Sequence, residues 1–342
     1  SRVDDPVFER GFTNFIAAAN VVRQFRSLRI LQIGPRPASF WTMMCNEGEL
    51  LERFGIEIHP ITLVDIQRAS KKIENGNSSE LAEAIDYIKA KLDWSEVTEA
   101  DVRRIAALKV AMKQYAVNTG STAIAIQCWS SLQDAMGIMP CLANAILTDE
   151  QIPVTCETDI HGAITSVMVQ AATMNQHPTF FADLTVRHPD NPNGELLFHC
   201  GNFPVSLSVE EKPKLRKHFL FDDHSPGTHE GEIKGGSMTL ARFDGDPTAS
   251  CTATTTAWSV STHVRPVGPA LAIRTTAIVE QQGPDGAVRS CRMVARGRMR
   301  PALVRTTVRT TATLDRWLRP GLHLGLVGDE IEFTLSPARP LA

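Results

Sequence analysis

Residues 152–174, IPVTCETDIHGAITSVMVQAATM, decide the fold. A short apolar run, IPVTC, leads directly into a segment whose apolar residues recur at helical spacing, and Glu157, Thr158 and Asp159 stand at the junction. A buried strand feeding a buried helix is half of a βαβ unit, which points to a parallel sheet with helices packed on it. In open parallel sheets ligands bind at the carboxyl ends of the strands, and Glu157 sits at such an end. Thr158 or Asp159 suits the N-cap of the helix, where a side-chain oxygen accepts from a free backbone N–H. Glu157 itself has two readings, a solvated strand-end carboxylate or part of a site.

The alternation continues upstream. PVFERGFTNFIAAANVVRQF has helical spacing, LRILQIG is a short strand closed by glycine, GELLERFG is a helix with a glycine stop, and IEIHPITLVDI reads as extended. Residues 70–118 are charged and helix-periodic, STAIAIQCW is a buried strand, and MPCLANAILTDEQ is helical. Beyond about residue 175 the texture changes to RHPDNPNGE and to β-branched runs such as SCTATTTAWSV, ALAIRTTAIVE and ALVRTTVRTTATL. The expectation is α/β: a parallel-sheet domain with flanking helices over residues 1–174, followed by a mainly antiparallel, β-rich, barrel-like domain over residues 175–342.

Bulk properties narrow the function classes. With 342 residues, 43% hydrophobic, 21% charged and a formal charge of −3, the chain reads as ordinary globular protein without a general field for nucleic acid or anionic membrane. No apolar run approaches the roughly 18 residues of a membrane span. Seven cysteines without framework spacing suit reduced thiols and a cytoplasmic location. The start at Ser1, already close to an amphipathic segment, reads as that of a fragment. The motifs of serine hydrolases, P-loop NTPases and zincins are missing, and IGPRPASF is too poor in glycine for a dinucleotide fingerprint. RSCRMVARGRMRPALVRTTVRT carries seven arginines and no acid, yet lacks stacking aromatics; alternating arginines on the wet face of a sheet explain it.

Downstream of Glu157 lie Asp183 in TFFADLTV, His199 in LLFHCGN and His323 in LRPGLHLGLVGDE. Carboxylates and imidazoles together form a donor set suited to Mn²⁺ or a related divalent ion. The ordered blocks AIQCWSSLQDAMGIMPCLANAILTDEQIPVTCETDIHGAITSVMVQAA, FFAD, FHCGN and GLHLGLVGD resemble the middle and C-terminal domains of the L-fucose isomerase and L-arabinose isomerase superfamily. ILQIGPRPASFWTMMCNEGELLERFGIEI is similar to the start of that middle domain. Nothing matches the family's first domain, roughly another 150 residues.

The resemblance implies a metal-dependent aldose–ketose isomerase acting on a fucose-like or arabinose-like sugar, with Mn²⁺ as cofactor and a homo-oligomeric assembly, a trimer or hexamer. By position it implies Glu157 and Asp183 as metal-binding carboxylates that also move protons, His323 as the late histidine ligand, and His199 as a further ligand or substrate neighbour. Beside His323 the family often has a second histidine, where this chain has Leu322 and Leu324. Trp129 and Gln127 would line the pocket, and Asn202, Arg36 and Trp41 are candidate sugar contacts; for Arg36 a surface ion pair is the competing reading. A non-catalytic carbohydrate-binding or regulatory protein with the same fold is the alternative from another class, and metal content separates the two.

Overall fold

The computed structural model describes residues 3–187, 194–219, 225–245, 251–261, 276–280, 322–327 and 330–335, with side chains described for 3–183, 197–219, 225–235 and 238–244. In chain order the N-terminal part contains α1 (Pro6–Phe25), β1 (Arg29–Ile33), the short α2 (Glu47–Glu49), β2 (Glu57–Ile61), α3 (Leu63–Glu74), α4 (Ser79–Lys91), α5 (Glu99–Thr119), β3 (Ala123–Ile126), α6 (Ser131–Met136), α7 (Cys141–Asp149), β4 (Val154–Thr155) and α8 (Ile160–Ala172). There follow β5 (Asp183–Arg187), β6 (Gly194–Phe198), β7 (Lys214–Lys217), β8 (Pro226–Glu230), β9 (Gly236–Gly245), β10 (Cys251–Ser261), β11 (Thr276–Glu280), β12 (Leu322–Val327) and β13 (Glu330–Leu335).

The first four strands form a parallel sheet of order β2-β1-β3-β4. Successive side chains of a strand point to opposite faces, and the burial follows that period. Leu31, Ile33, Ile124, Ile126 and Val154 pack with α3, α4, α5 and α7, whereas Ile30, Ala123 and Ala125 pack with α1 and α8. Both faces of the sheet are therefore covered, which explains why β3 reads as a continuous apolar run and β1 as a mainly apolar one.

Helix starts follow local chemistry. Asp5 caps α1 by accepting from the Val7 N–H, and Pro6 occupies the first helical turn. Thr62 with Asp65, and Thr98 with Asp101, form reciprocal capping boxes at α3 and α5. The first box corrects one expectation: IEIHPITLVDI is extended only as far as Ile61, and the helix begins at Leu63.

The later strands are antiparallel. Among the described residues the larger sheet runs β5-β6-β11-β10-β9, with β5 and β9 at its ends, and no barrel-like closure is seen among them; β7 pairs with β8, and β12 with β13. Its β9 strand packs on α8, where Phe243 is fully buried in the core shared with Phe25, Val167 and Ile164. ALVRTTVRTTATL and the arginine-rich stretch 289–309 lie outside the described residues. No described helix is long and apolar enough to cross a membrane.

Candidate active site

Three loops leave the carboxyl ends of β1, β3 and β4 and are tied together. Gln127 N–H donates to Ile33 O at 2.8 Å, Thr158 N–H to Ile126 O at 3.0 Å, and Thr158 Oγ1 to Pro35 O at 3.2 Å. The junction lies where strand order reverses between β1 and β3, the position at which doubly wound sheets bind ligands. Gly34 permits the close approach: its φ is +75°, and a Cβ there would stand 2.8 Å from Gln127 Oε1.

Glu157 occupies a constrained backbone. Its φ is 54° and that of Thr158 is 55°, so two successive non-glycine residues, one β-branched, are left-handed. Each costs on the order of 1–3 kcal/mol and persists only where its surroundings over-determine it. β4 ends after Thr155 because the chain turns into this conformation, which is why the strand is shorter than IPVTCE suggests.

The Glu157 N–H donates to Cys128 Sγ at 3.3 Å, and the Cys128 thiol donates back to Glu157 Oε1 at 3.1 Å. Burial pushes the Glu157 pKa up, the Cys128 bond opposes it, and the Asp183 and Asp159 charges add to the rise, which ends at about 8. Cys128, Cys156 and Glu157 each present a ligand atom within 4.8 Å of the others. Burial holds the Cys128 thiol well above its ordinary value, favouring the protonated donor that steadies Glu157.

Asp159 caps α8, accepting from the Gly162 N–H at 2.9 Å. Arg242 on β9 grips the same carboxylate through two nitrogens, Nη2 reaching Oδ1 at 3.2 Å, while its Nε donates to Asp244 Oδ2 at 3.1 Å. His161 Nδ1 completes the cluster 3.0 Å from Asp244 Oδ1. Phe181 approaches Gly162 so closely that a Cβ there would lie 2.8 Å from its ring, which brings the start of β5 over the N-terminus of α8.

Asp183 follows on β5. Its side chain is 66% exposed on the open side, yet the surrounding protein, and next the Asp159 charge, push its pKa up to about 6. His199 Nδ1 lies 3.8 Å from Asp183 Oδ2, and Phe181 meets the imidazole edge-on at 5.4 Å. His199 is 1% exposed, and among the described residues neither ring nitrogen has a hydrogen-bond partner. Burial, reinforced by nearby His218, lowers its pKa to about 4, so the ring is neutral at neutral pH.

The other expected residues occupy different settings. Gln127 is buried and its Nε2 donates to Trp129 O at 3.2 Å; Trp129 is half-buried against Phe40, ring centroids 5.9 Å apart. Asn202 is buried with its amide committed to Val154 O at 3.2 Å and Cys156 Sγ at 3.5 Å, which fits bracing of β4. Arg36 makes no ion pair among the described residues; its Nη1 donates to Pro37 O and Ala38 O, each at 3.2 Å, and its guanidinium lies 5.0 Å over the Trp41 ring. The backbone of His323 is on β12, opposite Thr334, and its side chain lies outside the described residues. Cys128 and Arg242 escaped the sequence reading: one looked like an ordinary core thiol, and nothing local marks the other. A groove of about 570 Å³ between α4, α5 and α7, lined by Tyr87, Lys109 and Glu150, lies away from these residues.

No family model matches the chain. It is 26% identical over 254 residues to the sulfoquinovose isomerase of Alkalicoccus urumqiensis, covering 71% of this chain and 54% of that protein. To that of Priestia aryabhattai it is 23% identical over 205 residues, 60% of this chain and 45% of the relative. To that of Clostridium sp. (strain MSTE9) it is 25% identical over 194 residues, 57% and 42% respectively. The chain thus spans about half the length of the curated relatives it matches, and those relatives share one sugar-isomerase name.

Proposed function

We propose that the chain carries the metal-binding and proton-moving part of an aldose–ketose isomerase acting on a sulfonated hexose of the sulfoquinovose type. The observation that carries the reading is His199, a buried neutral imidazole beside Asp183 whose two nitrogens have no hydrogen-bond partner among the described residues. Unpaired buried polar groups are costly, and a divalent ion would satisfy this one. Glu157, Asp183 and His199, with His323, would hold the ion, and an oxygen and nitrogen donor set suits Mn²⁺. The relatives' names favour sulfoquinovose over the fucose-like or arabinose-like sugars that the resemblance implied.

Isomerisation moves a proton from C2 to C1 of the open-chain sugar and another between O2 and O1. A bound divalent ion supplies Lewis-acid stabilisation of the negative charge that grows on the sugar oxygens. The two carboxylates divide the proton work: Asp183 would take the carbon-bound proton and Glu157 handle the oxygen proton. Without an ion, burial first of all raises both carboxyls, Asp183 to about 6 and Glu157 to about 8, and a bound cation would favour the ionised form of each. Each role contributes about 10²–10⁴-fold. Cys128 fixes the Glu157 carboxylate, and Arg242 ties up the neighbouring Asp159 so that it does not compete for the same position.

Assembly as a homo-oligomer, a trimer or hexamer, belongs to the same reading. The exposed face of α1 supports it: Phe8, Phe12, Phe15 and Ile16 form an uncovered apolar stripe.

The test is incubation with sulfoquinovose and Mn²⁺ in D₂O, followed by NMR. The expected result is the 2-ketose with deuterium at C1. Absence of ketose contradicts the isomerase reading, and ketose without deuterium contradicts proton transfer through exchangeable carboxyl groups.

A further inference from the structure

Sulfoquinovose is a hexose whose C6 carries a sulfonate, a permanent anion at the end of the sugar remote from C1 and C2. A site that turns it over productively must offset that charge, and a guanidinium, planar and always protonated, is the side chain best matched to a tetrahedral oxyanion. The three joined loops, residues 34–44, 127–130 and 156–159, contain one basic residue, Arg36. The other arginine nearby, Arg242, is already committed to Asp159 and Asp244.

Arg36 is held in place without being neutralised. Its Nη1 is occupied by the Pro37 and Ala38 carbonyls, which orient the group but carry no net charge. The guanidinium rests on Trp41, itself 67% exposed, and among the described residues Nε and Nη2 have no partner. One edge of the fork is thus left for a ligand. Position supports the same use: the Pro35 carbonyl beside it accepts from Thr158, the residue after Glu157, and Phe40 of the same loop packs on Trp129. Neighbouring loops of one crevice would meet opposite ends of one sugar.

We infer that Arg36, propped on Trp41, is the anion subsite that receives the C6 sulfonate and selects sulfonated over neutral hexoses. The inference rests on the isomerase reading for its kinetic readout and on binding alone for its second. The Mn²⁺-loaded full chain and its Arg36→Ala, Arg36→Lys and Trp41→Ala variants are compared on sulfoquinovose and on 6-deoxyglucose, which has a methyl group in place of the sulfonate.

A charge-assisted contact of this kind changes binding by about 10- to 100-fold. Arg36→Ala is expected to lower the kcat/KM ratio of sulfonated to neutral sugar by that factor, mainly through KM; Arg36→Lys restores part of it, and Trp41→Ala loses part. Calorimetric titration of sulfoquinovose, read without turnover, should show the same order of affinities. If the wild type turns over neither sugar but Arg36→Ala weakens binding of sulfoquinovose, the isomerase reading fails and the subsite stands. An unchanged kinetic ratio together with unchanged sulfoquinovose affinity in Arg36→Ala overturns the subsite, whatever the turnover.

Discussion

Glu157 and Asp183 are carried by regions of unlike construction. The parallel sheet under Glu157 has a core on each face, with Ile30, Leu31, Ile33, Ile124 and Ile126 fully buried. The antiparallel region that carries Asp183 and His199 has a smaller described core, Leu197, Phe203 and Ile233. The contrast bears on the chemistry: a carboxylate sunk into the larger core, 8% exposed, is driven up to about 8, while one on the open flank of the smaller, 66% exposed, rises only to about 6. The two carboxyls differ because burial, the first cause of each rise, weighs more on Glu157 than on Asp183. Links between the regions include Phe243 in the α8 core, Arg242 on Asp159 and Asn202 on the end of β4, with Ser206 on Asp149, Arg216 on Glu96 and the Met139 N–H on Pro226 O besides.

The largest expected effect falls on the carboxylates themselves. Glu157→Gln and Asp183→Asn should each lower kcat by about 10²–10⁴-fold at neutral pH while circular dichroism shows the fold kept. Near-normal turnover in either variant removes that residue from the chemistry.

Next come the links. Phe243→Ala should destabilise the chain by about 3–5 kcal/mol in urea unfolding, because it empties the place where β9 enters the core of α8. A much smaller loss would mean that this ring does not anchor β9 to the α8 core. Arg242→Ala leaves Asp159, 2% exposed, without its cation, and should cost about 3 kcal/mol, near the lower end for buried pairs because the arginine side chain is 34% exposed. Asp159→Asn in the same chain should recover much of that loss, and failure to do so would show that Arg242 acts by packing.

Burial depth also has a pH signature. The folded-state pKa of Glu157, about 8, lies above its ordinary value of 4.5, so the folded protein holds an extra proton between those limits. The stability this contributes is complete below the unfolded value and is lost as pH rises through about 8. In metal-free protein, Glu157→Gln should therefore raise the melting temperature relative to wild type more at pH 9 than at pH 5. Equal shifts at both would place Glu157 in a more solvated setting. The smallest effect belongs to α1: Phe12→Glu should leave the fold intact and lower the mass measured by light scattering if the apolar stripe joins subunits, and an unchanged mass argues against that face.

The sequence made the parallel sheet legible because its inner strands are covered on both faces and therefore appear as short, mainly apolar runs between periodic helices, β3 without interruption and β1 broken at Gln32. The N-cap role of Asp159 was equally plain, since capping is set by residues a few positions apart. The left-handed backbone at Glu157 and Thr158 was not, because the bonds that impose it come from Cys128, Ile126 and Pro35, far away in the chain. Arg242 was invisible for the same reason: its partner lies 83 residues upstream. Asn202 has a structural partner that its motif did not suggest, since its Nδ2 donates to Val154 O on β4.

Whether the two regions share one cation is tested most directly by titrating Mn²⁺ into the metal-free chain and into Glu157→Gln and Asp183→Asn, with binding followed by calorimetry and electron paramagnetic resonance. A single shared site predicts one ion per chain in the wild type and a large loss of affinity in both variants. Full-affinity binding that survives either substitution would contradict it.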